Sequence, residues 1–139
     1  MEIKVFDKIN DDDARYIRNT VFIEEQGFER EYDEIDSIST HIVIYDEGTA
    51  LGTCRVFFDE ALGCYHTGRI AVLKEHRGKG LGRVLVTEGE RVAKAKGGKE
   101  IYIGGQVRVK DFYERLGYIA FGEEFMDEGV PHIGLKKSL

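Results

Sequence analysis

A glycine-rich run that joins a strand-like segment to a helix-like segment limits the possible folds of this chain more than any other feature. The run is Arg77-Gly78-Lys79-Gly80-Leu81-Gly82-Arg83. Glycine allows unusual backbone dihedrals and close approach of a ligand, and a helix that begins here directs its free N–H groups and positive dipole end to one place. Because the run also carries three cations, it predicts a diphosphate-binding turn. The alternative is a turn with solvated charges.

Two common phosphate-binding motifs do not fit this run. A P-loop needs glycine, four residues and then Gly-Lys followed by serine or threonine, and the chain has no such pattern. A dinucleotide-binding fingerprint that starts at Gly78 needs glycine or alanine where Arg83 stands. The segments before the run alternate like an antiparallel meander, so they do not predict the βαβ unit that this fingerprint opens.

The spacing of apolar residues predicts one domain over residues 1–139, of the mixed α/β (α+β) class. We expect strands over residues 2–6, 41–45, 50–58, 65–73, 99–105, 118–125 and 132–136, with Pro131 in the turn before the last strand. We expect helices over about 11–25, 80–96 and 107–116, with capping groups in 10–13 and room for a short helix within 28–40. The expected buried stripes are Ala14, Ile17, Val21 and Phe22 on the first helix and Leu81, Val84, Leu85, Val92 and Ala95 on the second.

Composition argues against several classes of protein. The net charge of −6 is unsuited to general binding of nucleic acid. No stretch approaches the roughly 20 apolar residues of a membrane helix, and the N-terminal residues lack the pattern of a secretory signal. Cys54 and Cys64 fit neither a disulfide framework nor a zinc site. We therefore expect a cytoplasmic protein with reduced thiols, no metal, and neither nucleic acid nor membrane as a partner.

Arg77, Gly80 and Gly82 match the pattern of arginine or glutamine, two residues, glycine, one residue, and glycine or alanine. By this motif and the order of its elements, the chain resembles the GNAT superfamily of N-acetyltransferases. The resemblance implies the acyl-CoA N-acyltransferase fold, a mostly antiparallel sheet with helices on both faces and splayed central strands. It also implies acetyl-CoA as cosubstrate. The implied cofactor-binding residues are Ile70, Ala71, Val72, Arg77, Gly78, Lys79, Gly80, Leu81, Gly82, Arg83, Gln106 and Phe112.

The run Phe112-Tyr113-Glu114-Arg115-Leu116-Gly117-Tyr118 resembles a second hallmark of that family. The resemblance places the Tyr113 hydroxyl near the cofactor sulfur and makes it the general-acid candidate. A phenol of pKa about 10 can donate a proton to a leaving thiolate whose conjugate acid has a pKa near 8.5. The alternative is an amphipathic core residue. Gln106 stands where the family commonly has asparagine, which keeps the amide on a longer side chain.

The acceptor side is less determined. Residues of the N-terminal third resemble a poorly characterised bacterial subgroup of small single-domain GNAT proteins. Glu25 and Asp33 are the general-base candidates, because a carboxylate near the thioester could hold an amine and take its proton directly or through water. Solvated acids are the alternative. The substrate-binding candidates are Arg18, Arg55, Arg69, His41 and His132, each of which could instead be a structural residue.

These observations predict transfer of an acetyl group from acetyl-CoA to an amine of unknown identity by direct attack. A small-molecule acceptor is expected, and an apolar strip on the last strands is compatible with a homodimer. If Arg55 and Arg69 face the cleft, the acceptor could carry a carboxylate. Two other functions stay open: a CoA-binding sensor or interaction module without catalysis, and transfer to a protein N-terminus or lysine.

Overall fold

Seven strands form one sheet in the computed structural model, which describes residues 1–8, 12–29 and 31–139. Across the sheet they run in the order β1-β2-β3-β4-β5-β7-β6, and β4–β5 is the parallel pair among antiparallel neighbours. The predicted strands and the mostly antiparallel sheet are confirmed. The strands are β1 (Glu2–Phe6), β2 (Thr40–Asp46), β3 (Thr49–Asp59), β4 (Cys64–Val72), β5 (Glu100–Gln106), β6 (Ile119–Asp127) and β7 (Val130–Ser138).

Helices cover both faces of the sheet, as expected. Helix α1 (Asp13–Arg18) continues through Asn19–Glu25 with π-helical hydrogen bonds, and its predicted apolar stripe packs on one face. Helices α2 (Leu81–Ala95) and α3 (Lys110–Arg115) pack on the other. Successive residues of a strand point to opposite faces, so β2 serves both cores. Val43 contacts the α1 side, whereas Ile42 contacts the α2 side.

The helices differ from the sequence prediction in two details. The proposed capping residues Asn10 and Asp11 lie outside the described part of the chain, and α1 begins at Asp13. The buried stripe of α2 includes Ala93 rather than the predicted Ala95, which is exposed. The stripe centres on Gly89, where an added Cβ would lie 2.9 Å from Thr67 Oγ1, and Ala93 follows Gly89 by four residues.

The remaining differences concern short turns. Val107–Val109 forms a 3-10 turn ahead of α3, and a second 3-10 turn, Glu34–Ser37, occupies the loop for which a short helix was considered. Pro131 was wrongly expected in a turn. It lies inside β7, beyond the last residue pair with β5, where a missing N–H costs the sheet little.

β4 and β5 separate soon after they meet, and we call the gap between them the split. Their registered pairs are Tyr65–Ile101 and His66–Tyr102. Past that point β4 contains a bulge, in which Arg69 and Ile70 together oppose Cys54 of β3. Arg69 has a φ of 49°, in the left-handed region that non-glycine residues rarely adopt. A bulge bends its strand and increases its twist, so it turns β4 away from β5 and confirms the predicted splay.

Both cysteines lie in the buried part of this framework. Cys54 of β3 and Cys64 of β4 are free thiols, as the reduced-thiol prediction expects. Burial raises the pKa of both thiols, so neither is readily ionised. Among the described residues, no helix is long and apolar enough to cross a membrane.

Candidate active site

A cavity of about 790 Å³ passes through the split and is lined by residues from both faces of the sheet. On the side of α2 and α3 its lining includes the glycine-rich run, the residues that follow the β4 bulge, and α3. On the α1 side its lining includes ring side chains, which are Phe22, Phe28, Phe57, His66, Tyr102, Phe125 and His132. Its size is that of a small-molecule binding site.

The glycine turn, residues 77–83, has the geometry that the sequence predicts. Gly78 and Gly80 have φ values of 79° and 80°, and an added Cβ at either position would meet no atom within 4 Å. The first amide with a helical partner belongs to Val84, which donates to the Gly80 carbonyl at 3.2 Å. The amides of residues 81–83 therefore have no partner within the helix, and they begin a helix of 15 residues. Such amides are well suited to bind an anion.

The three cations of the glycine turn have different surroundings. Arg77 donates two hydrogen bonds of 2.7 Å to Glu25, and its Nε donates to the Val72 carbonyl at 2.9 Å. The Lys79 ammonium lies 3.4 Å from His76 Nδ1, and Lys79 is not part of the cavity lining. Arg83 is exposed and does line the cavity. Arg77 thus attaches the turn to β4 by a hydrogen bond, and the guanidinium of Arg83 is available to bind a ligand.

The edge of β4 beyond the bulge faces the cavity. Ile70, Ala71 and Val72 line it, and β5 makes no registered pair with them. Gln106, at the end of β5, also lines the cavity; its amide Nε2 donates to Gln26 Oε1 at 3.1 Å and its Oε1 accepts from Arg108 at 2.6 Å. The predicted cofactor-binding residues are therefore brought together along one channel, apart from Lys79.

Tyr113 lies at the inner end of this channel. It is 7% exposed, and its hydroxyl makes no hydrogen bond to any residue that the structure describes. Burial, with a smaller contribution from Cys54, raises its pKa to about 12. The ring is held by Gly105 of β5, where an added Cβ would come within 2.7 Å of Tyr113 Cε2. Phe112 packs its ring edge over Gly82, which joins α3 to the glycine turn.

Six charged residues form a network of ion pairs, in which Arg18, Glu31, Asp36 and Arg55 are buried. We call it the arginine cluster: Arg18, Glu31, Asp33, Asp36, Arg55 and Arg69. Arg18 is 1% exposed and donates to Glu31 Oε2 at 2.7 Å and to Asp36 Oδ1 at 2.8 Å. Arg55 donates to both oxygens of Asp33 and to Asp36. Burial works to raise the pKa of Asp36, but hydrogen bonds from the two arginines hold it at about 2.

The predicted base candidates are both engaged in ion pairs. Asp33 accepts from Arg55 at 2.7 Å, and although burial opposes ionisation, the arginines lower its pKa. It also caps the 3-10 turn Glu34–Ser37. Glu25 accepts both hydrogen bonds from Arg77, which lower its pKa, and Glu25 does not line the cavity. These ion pairs leave both carboxylates poorly placed to accept a proton.

The substrate-binding candidates divide into two groups. Arg18 and His41 lie behind the cavity lining, and His41 Nε2 is 2.9 Å from the Asp36 carbonyl. Arg55, Arg69 and His132 line the cavity. His132 Nδ1 donates to the Val130 carbonyl at 2.7 Å, and its ring stacks on Phe125. Arg55 and Arg69 pair with acids of residues 31–36, which we call the acceptor loop, instead of with a neighbouring strand.

His66 and Asp59 form a pair that sequence reasoning missed. His66 Nδ1 lies 3.1 Å from Asp59 Oδ2, and the His66 ring is between the rings of Phe57 and Tyr102, each 4.7 Å away. The alternation of β4 gave a signal, since residues 66 and 68 share a face. That face could not be assigned to the cavity without knowing where β4 leaves β5.

Comparison with known proteins agrees with this geometry. The family description "Acetyltransferase (GNAT) domain" matches residues 8–139. A candidate acetyltransferase of Bacillus subtilis (strain 168) is 41% identical over 129 residues, which cover 87% of this chain and 84% of that protein.

Two solved structures show the same fold. The crystal structure of a candidate N-acetyltransferase from Lactobacillus plantarum has a TM-score of 0.89 and 29% identity, covering 99% of this chain and 97% of its own. An aminoglycoside 6'-N-acetyltransferase complexed with coenzyme A has a TM-score of 0.76 and 17% identity over 99% of this chain and 97% of its own. Because the family match spans nearly the whole chain, this protein belongs to the GNAT acetyltransferases.

Proposed function

We propose that this protein transfers an acetyl group from acetyl-CoA to a small-molecule amine by direct attack in the split. The observation that carries the proposal is the continuous path along β4, from the free amides of the glycine turn to the unpartnered hydroxyl of Tyr113. Acetyl-CoA supplies an activated thioester carbon. The residues of the chain hold the diphosphate, align the pantetheine arm and move protons.

The glycine turn would hold the diphosphate through the amides of residues 78–83, with Arg83 and Lys79 adding positive charge. The exposed edge at Ile70, Ala71 and Val72 can pair with the amides of the pantetheine arm as a strand would. Gln106 and Phe112 border the same channel. A fold neighbour solved with coenzyme A is consistent with this assignment.

Tyr113 would be the general acid. Its pKa of about 12 keeps the phenol protonated at working pH, so it can donate a proton to the departing sulfur. An ammonium acceptor first loses one proton to water; the neutral amine nitrogen then forms a bond to the carbonyl carbon, the carbon–sulfur bond breaks, and the nitrogen loses one further proton. Glu25 and Asp33 are unfavourable acceptors for that proton, since arginines lower the pKa of both carboxyls.

An acidic surface supports an amine as the acceptor. A second cavity of about 530 Å³ shares Glu31, Arg69, Asp127 and Glu128 with the first. Amines are largely cationic near neutral pH, so carboxylates at the approach would attract them. The other acids of this cavity are Glu29 and Asp33.

Two finer features belong to the same proposal. The free, buried Cys54 and Cys64 suit a reducing compartment, and we infer a cytoplasmic location. The edge strand β6 exposes apolar side chains, among them Ile119 at 74% and Met126 at 65%, which we assign to a homodimer contact. Sedimentation of the purified protein at several concentrations tests the dimer, and a monomer throughout contradicts it.

The cofactor assignment is tested by a matched pair of variants at Gly80. Asparagine and aspartate have similar shapes, and both tolerate a positive φ better than most residues. Gly80→Asp should weaken CoA binding about tenfold or more beyond Gly80→Asn, because it adds a negative charge where the diphosphate lies. Calorimetry with CoA measures both. Equal affinity in two folded variants contradicts the assignment.

Catalysis is tested by release of free thiol from acetyl-CoA across a panel of primary amines. Tyr113→Phe should lower kcat by about 100-fold while CoA affinity is kept. A wild-type protein that binds CoA and acetylates none of the amines would favour the sensor function. Label on protein after incubation with radioactive acetyl-CoA and lysate would favour a protein acceptor.

A further inference from the structure

A small polar recess of the cavity, which we call the seat, lies over Gly68 at the point where β4 leaves β5. Gly68 follows His66 by two residues, so both face the α1 side of the sheet. A Cβ added at Gly68 would lie 3.8 Å from His66 Nε2 and 4.0 Å from Arg55 Nε, in ordinary van der Waals contact with both. All three residues line the cavity. With glycine here, no side chain at position 68 covers either nitrogen.

One of these nitrogens is an acceptor. The Asp59 carboxylate can only accept, so Nδ1 of His66 carries the hydrogen of the 3.1 Å bond and Nε2 keeps its lone pair. The flanking rings of Phe57 and Tyr102 fix the plane of the imidazole. Nε2 forms no hydrogen bond to any described residue, and it is the side of the ring that faces Gly68.

The other nitrogen is a donor. Arg55 is 4% exposed, and its two terminal nitrogens serve Asp33 and Asp36. Its Nε is buried and lacks a hydrogen-bond partner among the described residues. A buried donor without a partner is costly and points to a ligand or a water at that place.

We propose that the acceptor amine docks over Gly68, where His66 takes its proton and Arg55 Nε donates to an oxygen of the same molecule. This inference rests on the proposed acetyl transfer. It narrows the substrate class to amines with a hydroxyl, carbonyl or carboxylate oxygen close to the reacting nitrogen. Asp59 is the positioning residue, since it acts by fixing the tautomer of His66.

The proton balance is simple. The amine nitrogen gives one proton to His66 Nε2 as its bond to the carbonyl carbon forms, and Tyr113 gives one proton to the leaving sulfur. His66 then carries a positive charge, which Asp59 compensates, and Tyr113 is left as a phenolate. His66 loses its proton to water and Tyr113 takes one back from water, so both side chains return to their starting forms. No oxidant or reductant takes part.

The charges around His66 favour its neutral form at rest. Burial lowers the pKa of His66, the bond to Asp59 opposes that shift, and the charges of Arg55 and Arg69 lower the pKa further. A further titratable group against the ring is the phenol of Tyr102, whose own pKa is raised by burial. Since the base must be neutral, kcat should fall as the pH drops below the pKa of His66, which lies below the ordinary value of 6.5.

The test uses the best amine from the panel above or, if none reacts, the hydrolysis of acetyl-CoA. His66→Gln should lower kcat by about 100-fold and abolish the acid limb of the pH profile. Asp59→Asn should move that limb and lower kcat less. Gly68→Ala fills the seat without a clash, so it should raise the acceptor KM several-fold, or slow hydrolysis, while CoA affinity stays unchanged.

Several results would overturn the inference. These are a folded His66→Gln variant within about threefold of wild type, an unchanged acid limb in that variant, or no preference for amino alcohols and amino acids over alkylamines of equal length. If His66→Gln does not fold, a wild-type kcat without an acid limb overturns it. Loss of CoA binding in the wild type would instead contradict the acetyltransferase proposal itself.

Discussion

The glycine turn and the arginine cluster differ in whether their polar groups have hydrogen-bond partners. In the glycine turn, the amides of residues 81–83 have no partner within α2, and the space around Gly78 and Gly80 is open. In the arginine cluster, Arg18 uses its guanidinium in four hydrogen bonds and is almost wholly buried. The first region is arranged to receive a ligand. The second already has its partners and holds the acceptor loop against the sheet.

This contrast separates two meanings of a charged residue near a cleft. The unpaired main-chain amides cost little folding free energy while water hydrates them, so they can stay unpaired until a ligand binds. A buried arginine without its carboxylates would be costly, so its pairing is a structural requirement. The exceptions within the cluster are Arg55 Nε and Glu31 Oε1, which are buried without a hydrogen-bond partner among the described residues; both residues line the cavity. Function should therefore depend on Arg55 and folding on Arg18.

The largest expected effect breaks the cluster. Arg18→Met leaves Glu31 and Asp36 buried without their main cation, and we expect it to lower the free energy of unfolding by about 3–5 kcal/mol. Arg91→Met is the matched control, because Arg91 is exposed and pairs with Glu88 on the surface of α2. Its cost should stay below about 1 kcal/mol. Urea unfolding measures the free energy of unfolding of both variants. An equal loss of stability in the two would contradict the structural role of Arg18.

The next largest effect is expected in the cofactor channel, where Gly105 packs closely against the ring of Tyr113. Gly105→Ala forces a methyl group against the Tyr113 ring and should cost about 1–3 kcal/mol of stability. Gly104→Ala, one residue earlier, meets its nearest atom at 3.5 Å and should be nearly neutral. Thermal unfolding compares the two. A Gly105→Ala variant as stable as Gly104→Ala would mean that Tyr113 can move away easily.

The smallest effect concerns Glu25, which connects the end of the α1 segment to the glycine turn through Arg77. Glu25→Gln removes a partly exposed ion pair, so we expect a loss of stability below about 1 kcal/mol and a kcat within a few-fold of wild type. Steady-state kinetics and CoA calorimetry measure both effects. A fall in kcat of about 100-fold would restore Glu25 as the general base.

Local signals allowed much of the fold and of the cofactor side to be predicted. The glycine turn, the strands beside it and the stripe of α1 are encoded within a few neighbouring residues, so spacing alone predicts them. The arginines of the cluster meet acids 13 to 38 positions away, and no spacing rule predicts which acids meet Arg18 or Arg55. Ala95 and Pro131 were misjudged because tertiary packing, at Gly89 and at the end of β5, decided their positions.

The role of His66 could not be predicted, because the β4 bulge reverses the alternation of faces along the strand. Upstream of the β4 bulge, even-numbered residues such as Gly68 face the α1 side; downstream, Ile70 and Val72 contact the α2 core instead. One extra residue at Arg69 therefore exchanges the two faces of the strand. Reading β4 as one uninterrupted strand misassigns half of it.

Because of that exchange, the number of residues in β4 matters for the fold independently of which residues they are. Deletion of one residue at the bulge would restore regular alternation and leave the composition nearly unchanged. It would keep Ile70 and Val72 on the α2 side of the sheet, but it would remove the bend that keeps β4 away from β5. Among natural relatives, many substitutions should therefore be tolerated along this strand, whereas gaps and insertions should be rare there.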